Sequence, residues 1–328
     1  MSGASPALLA AAAVLAAAAA AALLRWKSRL PVAVRNERTL HTVPIPRVGG
    51  VALWAGFVPV ALAVPATPAM AVSTWGVPFA LLVAVSLRDD IRAVAIGPRL
   101  AAHAAAAAWF AVAVLGVSAA AILPLAATVL VVAWSVNLYN FMDGSDGLAA
   151  AMAVVGFAAY GAVLLHGGLP ATLPLAVAAA ALPVLAVNVP PARIFLGDVG
   201  AVPLGFLAAA LGVAGVVDGA WGAWFPPLVF LPFVADATVT LARRVLGGER
   251  FWQAHKSHYY QRLHRMGAGH RGTLAAWGAL MAGTAGTAVA CACLAPWLGV
   301  PALVAWCVAC AALFAAIDYH WRRHRPPT

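Results

Sequence analysis

The sequence predicts an all-α polytopic membrane protein, a single integral membrane domain over residues 1–328, and three observations carry that expectation. The first is composition: 64% of the 328 residues are hydrophobic and 9% are charged. The mean hydropathy is +0.93. Soluble domains hold roughly 45–50% apolar and about 25% charged residues, so these charges are too few to cover a surface facing water. The second is a succession of apolar runs near the roughly 20 residues that cross a bilayer. The third is that all 20 Lys and Arg lie in alternate connections between those runs. Disorder, a collagen-like repeat and a disulfide scaffold are excluded by the same composition.

In chain order the runs place helices over 6–24, 48–65, 70–87, 100–117, 119–139, 148–166, 170–188, 199–217, 221–241, 273–294 and 297–317, about eleven spans. The Ala-rich first run is followed, not preceded, by Arg25, Lys27 and Arg29, which marks a retained helix with its N-terminus outside and not a signal peptide. The inner segments are then 25–47, 88–99, 140–147, 189–198, 242–272 and the cytosolic tail 318–328, and they hold every Lys and Arg. Cytosolic loops of membrane proteins are enriched in these residues. The net charge of +10 is therefore a topology signal, and nucleic-acid binding is not needed to explain it. Trp321 with Arg322, Arg323 and Arg325 reads as an interfacial anchor after the last helix. Cys291, Cys293, Cys307 and Cys310 fall inside the last two helices and read as packing residues.

Of the ten Asp and Glu, Asp218 alone is placed outside. Asp89, Asp90, Asp143, Asp146 and Asp198 sit at or beside helix ends near the inner interface. Acids at membrane depth are costly and mark function. Asp146 and Asp198 would each also suit a helix N-cap, but with so few charges a shared cytosolic cluster explains the set better. Asn137-Leu-Tyr-Asn140-Phe-Met-Asp143-Gly-Ser-Asp146-Gly147 joins the fifth and sixth helices, and Phe195-Leu-Gly197-Asp198-Val-Gly200 opens the eighth. Glycine permits positive φ and close backbone approach. Helix N-termini favour phosphate, and Mg²⁺ takes one or two carboxylates with substrate phosphates. The pair predicts a metal-diphosphate site. The last inner loop, 242–272, adds Arg243, Arg244, Arg250, His255, Lys256, His258, Tyr259, Tyr260, Arg262, His264 and Arg265. Attraction to anionic lipid explains its Lys and Arg but not its clustered His and Tyr.

These residues resemble the polyprenyl-phosphate N-acetylhexosamine-1-phosphate transferases, glycosyltransferase family 4. The match runs through His41…Pro44-Ile-Pro46-Arg47-Val-Gly49-Gly50, Asp89-Asp90, Asn140 to Ala149, and Phe195 to Gly200, then partly from Asp236 through Arg244 to Leu263. The resemblance implies transfer of an N-acetylated sugar 1-phosphate from a UDP-sugar to undecaprenyl phosphate with release of UMP. The site would lie on the cytosolic face of a bacterial plasma membrane. It implies Mg²⁺, or Mn²⁺ in its place, at Asp198 and Asp143, with Asn140 near the diphosphate or sugar. Phe195 would stack on uracil, with Gly144 and Asp146 lining that pocket, and Asp89, with Asp90 beside it, would act on the lipid phosphate. Arg47, Gly197, Arg244, His255, Lys256, His258 and Arg262 are the other substrate-binding expectations. The expected partners are a UDP-N-acetylhexosamine, undecaprenyl phosphate and the bilayer, with a second copy of the chain as a candidate and no nucleic acid.

The departures point to a subgroup. The lipid I-forming phospho-N-acetylmuramoyl-pentapeptide transferases carry three consecutive histidines in the last inner loop, and this chain has none. The HxHHRL-like segment of the N-acetylglucosamine-1-phosphate group reads His258-Tyr-Tyr260-Gln261-Arg-Leu here, with His255 where an Asp is common. This version looks like the O-antigen-initiating enzymes that use UDP-linked N-acetylfucosamine, N-acetylquinovosamine or N-acetylglucosamine. The alternatives are the lipid I-forming reaction and, from another class, a polytopic transporter. Transporters place ionisable groups near the midplane, often in repeated halves, whereas these acids gather at one face. A non-catalytic descendant would have lost one of the five Asp, and all five are present.

Overall fold

The computed structural model describes residues 3–26, 45–64, 66–249 and 255–323, and apart from an isolated bridge at Pro46 the regular structure among them is helical. His41 and Pro44 of the first motif lie outside the described residues, as do Lys27, Arg29, Arg250 and Arg325. The α-helices run α1 Pro6–Arg25, α2 Gly49–Ala63, α3 Val72–Ile91, α4 Ile96–Leu115, α5 Ile122–Phe141, α6 Leu148–His166, α7 Thr172–Asn188, α8 Asp198–Val217, α9 Phe225–Val229, α10 Leu231–Leu246, α11 Tyr259–Leu263, α12 Gly269–Leu294 and α13 Gly299–Arg323.

Each expected run falls on a helix, but two are built differently. The ninth is broken at Phe230 into α9 and α10. Pro226, Pro227 and Pro232 surround the break, and each removes a backbone donor and crowds the preceding turn. The tenth is preceded by α11 and a π turn at His264–Ala268, where Gly267 takes φ 104°. Two expected loops also shrink. α3 continues through Asp89 and Asp90, α4 begins at Ile96, and α5 runs through Asn140. A charge ends an apolar run without ending the helix, because the backbone ladder continues past the lipid boundary. The remaining link of α3 to α4 is closed by Asp89 Oδ1, which accepts the Val94 N–H at 2.6 Å.

Seven helical stretches are long and apolar enough to cross a membrane: Pro6–Arg25, Ile96–Leu115, Ala119–Phe141, Leu148–His166, Asp198–Val217, Tyr259–Leu294 and Pro296–Arg323. Gly49–Ala63 and Thr172–Asn188 are shorter apolar helices. The chain is a polytopic membrane protein.

α8 is the central post. Its residues from Asp198 to Gly212 are buried without interruption, and it packs on α2, α3, α4, α5 and α6. Small residues permit this approach, as they do between helices in lipid. Gly50 of α2 meets Gly200 of α8 backbone to backbone, so that a Cβ at Gly50 would overlap the Gly200 amide. α1, α2 and α7 form one flank, and α12 joins α6 to α9 and α13. One end of the bundle gathers Ser5 with Thr172 and Thr67 with Asp218, whose Oδ2 accepts the Thr67 hydroxyl at 2.5 Å. The other end gathers Arg47, Asp89, Asp90, Arg99, Asn140 and Asp198. The four cysteines are free, with Cys291 and Cys310 buried.

Candidate active site

The site is built where the segment before α2, the end of α3 and the start of α8 lock together. Gly49 and Gly50 donate to the Phe195 and Leu196 carbonyls at 2.8 Å each, and Phe195 donates to Pro46 O at 2.8 Å. Gly197 then turns with φ 76°, and a Cβ there would stand 2.5 Å from Arg47 O and 2.8 Å from Asp90 Oδ2. Only glycine fits this corner. Asp90 Oδ1 accepts the Asp198 N–H at 3.2 Å and its Oδ2 accepts the Val199 N–H at 2.8 Å. The Asp90 carboxylate therefore caps α8 from α3, which satisfies two of the amides a helix start leaves open. The N-cap reading of Asp198 itself is corrected: the N-cap position is Gly197, and Asp198 is the first helical residue.

Asp198 is thus free to turn its carboxylate to other partners. Its Oδ2 accepts from Arg99 Nη2 at 2.9 Å and from Asn140 Nδ2 at 3.5 Å, and its Oδ1 accepts from Arg47 Nη2 at 3.4 Å. The second guanidinium nitrogen of Arg99 lies 2.7 Å from Asp89 Oδ2. One arginine therefore ties the last turn of α3 to the first turn of α8. Arg47 lies within 3.8 Å of Asp90 as well, and at 35% side-chain exposure it marks the open side of the site.

The 142–147 turn between α5 and α6 forms the adjoining wall. Gly147 takes φ 76°, and its N–H donates to Asn188 Oδ1, while Asn188 Nδ2 donates to Ile194 O. Asp146 Oδ2 accepts the Ala192 N–H at 3.0 Å, and His270 Nδ1 lies 3.1 Å from the Ser145 hydroxyl. Asp146 therefore also works as a tie between two loops and does not cap α6. Loss of solvation pushes the Asp143 carboxyl well above the usual carboxylate range; Arg47 opposes the shift, and Asp198, Asp90 and Asp146 add to it. Crowded carboxylates with insufficient positive charge are the donor set a hard divalent cation relieves. Among the described residues no group of three or more His, Cys, Asp or Glu forms a metal cage. Mg²⁺ does not need one, since it uses one or two carboxylates plus phosphate oxygens and water. Asp143 and Asp198 fit it.

The last loop is held by its own ion pairs and hydrogen bonds. Arg262 donates to Ser257 O at 3.0 Å and pairs with Asp318 of α13, and Arg244 Nε lies 3.1 Å from Glu249. Both brace the loop through these contacts. His258 is buried, with Nδ1 3.3 Å from Asp236 Oδ1 and its ring stacked on His255 at 4.8 Å. Lys256 is half-buried, with no ion pair among the described residues. Gly144 and Phe195 line the same end of the bundle as Asp198. A Cβ at Gly144 would run into the Tyr260 hydroxyl.

Three residues carry more of the geometry than their sequence context announces. Arg99 reads as one more inner-loop charge, although it sits ten residues after Asp89 and four before buried His103 on α4. Asp236 reads as the edge of a partial motif, and Asn188 reads as the polar end of a helix.

The chain is thus a bundle of apolar helices with a carboxylate and guanidinium cluster at one end. The middle of the chain is similar to glycosyl transferase family 4: that family's model matches residues 72–216, from α3 through α8. The chain is 34% identical over 148 residues to a probable undecaprenyl-phosphate N-acetylglucosaminyl 1-phosphate transferase of Bacillus subtilis (strain 168), covering 44% of this chain and 41% of that protein. It is 29% identical over 293 residues to the decaprenyl-phosphate N-acetylglucosaminephosphotransferase of Mycobacterium tuberculosis (strain ATCC 25618 / H37Rv), covering 74% and 72%. To the phospho-N-acetylmuramoyl-pentapeptide-transferase of Enterococcus hirae it is 31% identical over 126 residues, 38% and 39%. None of these three is named for O-antigen initiation.

Proposed function

We propose that this chain is a phosphoglycosyltransferase that moves N-acetylglucosamine 1-phosphate from its UDP-sugar to a polyprenyl phosphate and releases UMP, on the cytosolic face of a bacterial plasma membrane. The observation that carries it is the convergence of Asp89, Asp143 and Asp198 with Arg47, Arg99 and Asn140 at one end of α3, α4, α5 and α8. The names of the Bacillus and Mycobacterium relatives support the acceptor class and the sugar. The subgroup expectation of an O-antigen sugar takes no support from them.

In the reaction an oxygen of the lipid phosphate attacks the sugar-bearing phosphorus, and the bond to the UMP oxygen breaks. Asp198 and Asp143 would hold Mg²⁺, which supplies neutralisation of the diphosphate and of the charge on the departing UMP. Arg47, at the open side, binds phosphate oxygens. Arg99 holds Asp198 to Asp89, the carboxylate expected to orient the lipid phosphate, and so keeps donor and acceptor groups in one frame. Asp90 fixes the start of α8 on which Asp198 rides. Phe195 and Gly144 border the nucleotide and sugar. The test is incubation of the purified protein with undecaprenyl phosphate, Mg²⁺ and a panel of UDP-sugars, scoring UMP release. UDP-N-acetylglucosamine should be used; preference for UDP-N-acetylmuramoyl-pentapeptide would assign the lipid I-forming reaction instead.

A further inference from the structure

Four hydrogen bonds converge on Asp236, a side chain of α10 with no exposed surface. Its Oδ1 accepts from the Tyr259 N–H at 2.9 Å, from Thr240 Oγ1 at 3.2 Å and from His258 Nδ1 at 3.3 Å, and its Oδ2 accepts from the Tyr260 N–H at 2.9 Å. A buried carboxylate is costly unless such donors surround it. Here the donors include the first two amides of α11, so Asp236 fixes where that short helix begins.

α11 in turn presses on the wall that carries Asp143. The fully buried Tyr260 donates its phenol O–H to Phe141 O at 3.0 Å. Phe141 is the last residue of α5, so the phenol satisfies a carbonyl that a helix end leaves open. Gly144 lies against the same phenol oxygen, with no room for a Cβ, and Gln261 Nε2 is next to it. The Tyr260 hydroxyl thus touches the chain on both sides of Asp143, two residues before it and one after. Tyr260 stands where the related segment carries histidine, and phenol and imidazole differ in reach.

We propose that Asp236 and Tyr260 form a strut that positions Asp143, and that the last inner loop serves the metal-diphosphate site by this route. The inference rests on the proposed role of Asp143 at that site. Both are positioning residues, since neither touches substrate.

The test uses the full-length protein in nanodiscs. Mn²⁺ binding is read by electron paramagnetic resonance with UDP-N-acetylglucosamine present, and the half-saturating Mg²⁺ by UMP release. Tyr260→Phe removes one oxygen and keeps the ring. It should weaken Mn²⁺ binding and raise the Mg²⁺ requirement about five- to tenfold, the worth of one buried hydrogen bond, while the protein still unfolds cooperatively, with a midpoint lowered by no more than that one bond. Asp236→Asn should move both readouts the same way and further. Asp318→Asn loosens the loop from α13 at Arg262 and the Tyr259 hydroxyl but leaves every hydrogen bond of Asp236 and Tyr260 in place, and it should leave Mn²⁺ binding unchanged. Parent-like Mn²⁺ binding in Tyr260→Phe overturns the strut, and so does equal weakening in Asp318→Asn. Mn²⁺ binding by the parent protein without UMP release from any UDP-sugar would defeat the proposed reaction while the comparison of variants still decides the strut. No Mn²⁺ binding by the parent overturns both.

Discussion

Asp90 and Asp198 meet through the backbone: the Asp90 carboxylate accepts the Asp198 N–H at 3.2 Å, and it takes the next amide, that of Val199, at 2.8 Å. Two acids that read as equivalent members of a cluster thereby divide the work. Asp90 holds the helix, and the helix aims Asp198.

Asp90→Ala should therefore cost stability as well as turnover. Two buried amides lose their acceptor, worth about 1–3 kcal/mol, and the unfolding midpoint in detergent should fall. Asp90→Asn keeps one acceptor oxygen and should fall less. An Asp90→Ala protein with an unchanged midpoint and only a lower kcat would make Asp90 a group that acts on substrate.

Arg99 makes a sharper case. Arg99→Gln should lose UMP release by about a hundredfold, because two carboxylates are left facing each other without their shared cation. Arg99→Lys should recover only a small part, since a single ammonium cannot span Asp89 and Asp198 as a guanidinium fork does. Full activity in Arg99→Lys would show that charge alone is needed.

Asp143 predicts a pH dependence. Its carboxyl is raised in the folded protein by lost solvation, while an unfolded aspartate titrates near 3.9. Between those two values the folded state binds more protons, so stability is greatest at low pH and declines as pH rises, by up to about 1.4 kcal/mol per unit. In EDTA the unfolding midpoint should be lower at pH 8 than at pH 5, with Asp143→Asn showing a smaller difference. A midpoint rising with pH equally in both proteins would remove Asp143 as the cause.

The topology is open to labelling. Single cysteines near residues 68, 167 and 219 should react with an impermeant reagent from outside the cell, and those near 36, 94 and 255 only after permeabilisation. Outside labelling at 255 would overturn both the eleven-span count and the cytosolic site.

Helices were legible because lipid imposes one rule, an apolar run of fixed length, and because Lys and Arg punctuate it. The break at Phe230 and the turn at Gly267 were passed over, although Pro226, Pro227 and Pro232 flank the first and glycine occupies the second, because both lie within or beside apolar runs that read as single spans. Within the site, neighbouring glycines drew attention to Asp143 and Asp198 in the sequence. The roles of Asp90, Arg99 and Asp236 were hidden, because each acts on a backbone or a carboxylate from another helix: Asp236 is 24 residues from the Tyr260 amide it accepts, and Arg99 is 99 residues from Asp198. Arg244 and Arg262 illustrate the converse, bases suited to phosphate that the fold pairs with Glu249 and Asp318.

The central claim is that Asp198 carries a metal-dependent sugar-phosphate transfer. Its most direct test is transfer of label from UDP-N-acetylglucosamine to undecaprenyl phosphate by the parent protein and by Asp198→Asn, each with Mg²⁺ or EDTA, after both are shown to be folded. The parent should form labelled lipid and UMP only with Mg²⁺, and Asp198→Asn should form neither above background. Labelled lipid from Asp198→Asn at near-parent rate, still abolished by EDTA, would contradict the claim.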